Sequence, residues 1–79
     1  MITPRTNIQA TTLGLTLRAL RELVAESGPC TSRQLADRMG LIHTTAAMRL
    51  DRYERAGFVE REAAPPTVKH AAYVWRPAQ

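Results

Sequence analysis

An α+β domain, three helices followed by a C-terminal two-stranded hairpin, is what these 79 residues encode. Three observations carry that expectation. Apolar residues recur at helical spacing up to about residue 56. Gly28-Pro29, Gly40 and Gly57 cut that pattern into three pieces. Beyond Gly57 the helical period gives way to two stretches rich in branched and aromatic residues, parted by paired prolines.

Each element follows from local chemistry. Residues 1–10 carry Pro4, Arg5, Thr6 and Asn7 without a period and read as a flexible N-terminal arm, ahead of a single domain over residues 11–79. Thr11 or Thr12 caps the first helix. Leu13, Leu17, Leu20 and Val24 form its stripe, which Leu15 and Leu23 widen. Ser27-Gly28-Pro29 stops it, because Gly suits the residue after a helix and Pro cannot continue one. Thr31 with Gln34 fits a capping box that opens a short second helix with an apolar face of Leu35, Ala36 and Met39. Gly40 ends it, and Leu41 and Ile42 are expected to plug the core from a tight turn. The third helix starts at His43 or Thr44, runs to about Ala56 and buries Ala46, Leu50 and Tyr53, with Gly57 as its C-cap. Residues 58–62 read as a strand, 63–70 as a loop and 71–75 as a second strand ended by Pro77.

Eleven Lys+Arg against seven Asp+Glu give a formal charge of +4. All the basic residues except Lys69 are Arg, whose planar fork suits phosphates and base edges. An anionic partner is the expectation, although a GC-rich genome also enriches Arg. The lone Cys30 excludes an intrachain disulfide and a multi-thiolate zinc site, and His43 lies far from His70, so no metal or cofactor is expected. The sequence has no Gly-rich phosphate loop and no nucleophile with a matching His and carboxylate, which argues against an enzyme. It also has no apolar run near the ~18 residues a membrane span needs. A cytoplasmic protein without a membrane partner is therefore expected.

The stretch TSRQLADRMGLIHTTAAMRLDRYERAGFVERE, residues 31–62, resembles the DNA-binding part of MarR-like and ArsR-like repressors and of small phage regulators. The residues that carry the likeness are Thr31, Leu35-Ala36, Gly40-Leu41, Thr44-Thr45, Leu50, Tyr53-Glu54 and Ala56-Gly57-Phe58-Val59. With the first helix and second strand it spans roughly residues 11–76. The resemblance implies a winged helix-turn-helix with its third helix in the major groove of double-stranded DNA and the hairpin as a wing. The function it implies is a small sequence-specific transcription regulator, a homodimeric repressor that covers its operator. MarR-like regulators carry extra helices for dimerisation and ligand binding; these 79 residues leave no space for them, so no ligand-sensing domain is expected. The usual Asp-Arg-Arg wing is replaced by Ala63-Ala64-Pro65-Pro66-Thr67-Val68-Lys69-His70.

With Ala46, Leu50 and Tyr53 turned inward, the outward positions of the third helix are His43, Thr44, Thr45, Ala47, Met48, Arg49 and Arg52. Thr44 and Thr45 either meet phosphate and base or merely cap the helix. Ala47 permits close approach, Met48 offers an apolar contact, and Arg49 and Arg52 can grip guanine or phosphate. Arg55 is expected to pair with Asp51. Ser32 and Arg33 can meet a phosphate at the start of the second helix, or Arg33 can pair with Asp37. Lys69 and His70 either reach the DNA backbone or minor groove or belong to a solvated loop, and Arg5 on the arm is a further minor-groove candidate. Tyr53 and Phe58 fall inward and Trp75 caps the core beneath the hairpin, so these aromatics are not stacking platforms for single strands. Cys30 reads as a buried small residue; a redox role would need a lowered pKa.

Residues 43–57 carry Arg49, Arg52 and Arg55 against Asp51 and Glu54, a modest excess for a DNA reader. This keeps a second function open, a winged-helix adaptor or inhibitor that binds another protein, and charge alone also admits RNA. The candidate dimer interface is the first helix with the arm.

Overall fold

In the computed structural model, residues 12–69 and 71–78 are described. The arm with Arg5, Thr11 as a cap, and His70 lie outside them. The helices are α1 (Thr12–Ser27), α2 (Ser32–Met39) and α3 (His43–Arg55). They are followed by β1 (Val59–Ala63) and β2 (Tyr73–Pro77), an antiparallel hairpin.

The buried line of α1 differs from the expected stripe. Thr16, Ala19, Leu20 and Leu23 are its buried residues, while Leu13, Leu17 and Val24 form a half-buried flank and Leu15 is 50% exposed. Thr16 can be fully buried because its hydroxyl donates to the Thr12 carbonyl at 2.7 Å, which leaves no polar atom orphaned. Small, self-satisfied residues at 16 and 19 allow close packing beside Leu20 and Leu23, and this rotates α1 so that Leu13, Leu17 and Val24 lie at the edge of the buried face.

The second helix forms as the sequence dictates. Thr31 Oγ1 accepts from the Gln34 amide at 3.1 Å, and the Thr31 amide donates to Gln34 Oε1 at 2.8 Å. Gly40 closes the helix at φ +69°, a left-handed conformation for which Gly carries no steric cost. Arg38 then ties α2 to α1 through Glu26 at 2.7 Å and Glu22 at 3.5 Å.

Leu35, Ala36, Ala46, Leu50, Tyr53, Val59 and Trp75 complete the core with α1 and Cys30. Two apolar residues expected inside lie outside. Ile42 is 74% exposed, because it is the extended N-cap of α3 and Leu41 alone packs on the core from the turn. Phe58 is 44% exposed. Its amide donates to the Tyr53 carbonyl and its carbonyl accepts from Ala78, which fixes the chain so that Val59 takes the core position. The C-cap of α3 is Ala56 rather than Gly57; Gly57 follows it at φ +88°.

Strand register sets Glu60 opposite Arg76 and Arg61 opposite Trp75. The first strand starts one residue later than expected and includes Ala63; the second begins at Tyr73 rather than Ala71 and ends on Pro77. On its other edge β2 meets Cys30. The Cys30 amide donates to the Trp75 carbonyl at 3.0 Å, and the Trp75 amide returns a bond to Cys30 at 2.7 Å. This one-residue strand anchors the hairpin to the turn between α1 and α2.

Candidate nucleic-acid interface

The start of α2, the start of α3 and the wing converge. Ser32 Oγ lies 2.7 Å from His43 Nε2, linking the first residues of the two helices. Around that contact, Ser32, Arg33, His43, Ala47 and Lys69 line a groove of about 260 Å³ backed by Tyr73 and Trp75. The wing brings Lys69 there by folding back. Its loop turns through a Val68 amide to Pro65 carbonyl bond of 2.9 Å, and Val68 lines a hollow with Ser27, Pro29 and Val74.

Thr45, Met48, Arg49 and Arg52 line a second, shallower hollow of about 180 Å³. At ~100° per residue, Thr45 and Arg49 fall on the flank of α3 opposite His43 and Ala47. The single outward face expected from the sequence is thus two flanks, with the exposed Thr44 and Met48 between them.

The start of α3 is unusual in its cap. Its N-cap is Ile42, with no side-chain hydrogen bond, so neither Thr44 nor Thr45 caps the helix. The first amides of α3 therefore lack the side-chain acceptors that close the start of α2.

Charge pairing divides the described cations. Arg18 pairs with Glu22, Arg38 with Glu22 and Glu26, and Arg55 with Asp51 at 3.0 Å, as its spacing predicts. Arg61 reaches Glu54 on α3 and stacks over Tyr73 at 4.5 Å, so one face of that exposed ring is occupied. Arg76 binds Glu60 and Glu62. Among the described residues, Arg33, Arg49, Arg52 and Lys69 form no ion pair, and Arg21 on α1 forms none; in particular, Arg33 does not bridge to Asp37.

Tyr53 and Trp75 are core residues, as expected. Cys30 is buried, and burial pushes its thiol up to about 11, opposite to the lowered value a redox switch needs. Among the described residues no His/Cys/Asp/Glu cluster could hold a metal ion, and no helix is long and apolar enough to cross a membrane.

Two helices joined by a left-handed glycine turn, a first helix behind them and a hairpin wing define a winged helix-turn-helix domain. The MarR family model matches residues 8–67, and the chain belongs to that family of DNA-binding transcriptional regulators. No curated protein matches the chain.

Proposed function

We propose that this chain is a sequence-specific, double-stranded DNA-binding repressor that acts as a homodimer. The third helix enters the major groove. Arg49 and Arg52 grip base edges or phosphates from one flank, Thr44, Thr45, Ala47 and Met48 lie against the bases, and His43, Ser32, Arg33 and Lys69 hold the backbone from the other. His70, next to Lys69 in the sequence, is a further candidate for a backbone contact. Repression is steric: an occupied operator is closed to polymerase.

The observation that carries this reading is the distribution of unpaired charge. The arginines on the outer hairpin, on α2 next to α1 and at the end of α3 are neutralised by carboxylates. Among the described residues, Arg33 and Lys69 near the start of α2 and Arg49 and Arg52 on α3 are not, and they line the two hollows that flank the recognition helix, whereas Arg21, also unpaired, lies on α1 outside both. Unpaired Arg and Lys converging on an exposed helix supply the charge that displaces counterions from DNA.

A gel shift on random duplex DNA with competitor, followed by selection of bound sequences, tests the proposal. The expected product is an imperfect inverted repeat whose half-sites lie about 34 Å apart, since a two-fold axis places the two α3 helices in successive major grooves. A single asymmetric half-site bound by one protomer overturns the dimer. No binding to any duplex at about 50–100 mM salt overturns the DNA reading and leaves the protein-binding adaptor.

A further inference from the structure

We infer that this domain reads the C5-methyl group of thymine, through the apolar groups of Thr45 and Met48 on α3 and of Ile42 at its cap. The inference rests on the DNA-binding reading above and specifies what the recognition helix selects.

Ile42 and Met48 are the most exposed large apolar side chains among the described residues, at 74% and 61%. Both stand on α3 or its cap: Thr45 and Met48, about 60° apart at ~100° per residue, line the same hollow, and Ile42 stands at the N-cap just ahead of them. Keeping Ile42 and Met48 out of the core exposes apolar area that the fold itself does not use. At the start of a helix, Ile also takes a place where Ser, Thr, Asp or Asn would stabilise the cap.

The surroundings point to DNA rather than to an apolar protein surface. Met48 and Thr45 share their hollow with Arg49 and Arg52, neither of which has a carboxylate partner among the described residues. A purely apolar partner would leave those two charges unpaired, whereas phosphates or guanine edges satisfy them. The hollow, about 180 Å³, is smaller than the ~300–1,000 Å³ of small-molecule pockets, which argues against a bound metabolite there. In the major groove the only apolar group on a base edge is the thymine methyl. Uracil lacks it, so the same apolar groups would discriminate DNA from RNA.

The test uses the site recovered by selection, with each thymine replaced in turn by deoxyuridine. This removes one methyl and leaves every hydrogen bond in place. At one or two positions in each half-site, affinity should fall about three- to fivefold, the worth of one buried methyl. Met48→Ala should bind the thymine site more weakly and no longer distinguish it from the deoxyuridine site. Ile42→Ala should do the same at a neighbouring position. Both side chains are exposed, and thermal melts confirm that the variants fold. Specific binding with no deoxyuridine effect at any position overturns the inference while the DNA reading stands. A deoxyuridine effect that persists unchanged in both variants overturns it as well. Absence of duplex binding overturns both.

Discussion

Arg49, Arg33 and Arg55 carry the same charge and differ in what surrounds them. Arg49 shares its hollow with Met48 and Arg52 on the recognition helix, Arg33 sits at the start of α2, and Arg55 is held by Asp51 at 3.0 Å. Arg49→Ala should cost roughly 1–3 kcal/mol of binding and relax preference at one or two base pairs. Arg33→Ala, at a phosphate, should weaken all sequences alike, and Arg55→Ala should change little. Selection from a random library with the three variants separates these outcomes. Cys30 offers a second measurement. Its thiol ionises near 9.0 when free and near 11 in the folded protein, so the unfolded chain loses the proton first. Stability from this group is whole below about pH 9 and is lost as pH climbs through about 11. Chemical denaturation at pH 8, 9.5 and 11 should show that decline, and Cys30→Ala should flatten it.

At the level of helices and strands, α2 is the most self-determined part of the chain. Thr31 and Gln34 satisfy each other's amides, and Gly40 closes the far end. Thr31→Ala should cost about 1 kcal/mol, measured by urea denaturation. Signals of this kind act within four residues, which is why α2, the Asp51–Arg55 pair and the buried Ala46–Leu50–Tyr53 face are legible in the sequence. Other features depend on backbone direction or on distant partners. Ile42 and Phe58 are apolar, but each stands at a boundary of α3, where the path of the turn rather than a period decides which way a side chain points. The face of α1 is only partly legible: Leu20 and Leu23 are buried as their spacing suggests, but Thr16 and Ala19, which carry no strong apolar signal, complete the face and shift it away from Leu13, Leu17 and Val24. The two-flank arrangement of the site needs the wing to fold back to Lys69. It also needs Arg61 and Arg76 to find carboxylates on α3 and across the hairpin. None of those contacts has a sequence spacing that announces it.

For the domain taken together, the net charge of +4 is less informative than its division into neutralised and unpaired sites. With roughly three to five phosphate contacts per protomer, a plot of log affinity against log salt should have a slope on the order of −5 to −9 for a dimer. Titrations at several salt concentrations give that slope; a flat response would mean that the unpaired arginines do not meet phosphate. The pair of backbone hydrogen bonds between Cys30 and Trp75 has a kinetic corollary. It joins the turn after α1 to the last strand, so everything from α2 to the wing loop lies inside the loop it closes. Loop-closure entropy must be met before those two bonds form, whereas the helices can assemble from nearby partners. The hairpin is therefore expected to dock late on the folding path, and the two bonded amides should exchange with solvent when the hairpin undocks, ahead of the helices. Trp75 is the chain's single tryptophan, so its fluorescence in a stopped-flow experiment reports that closing event directly.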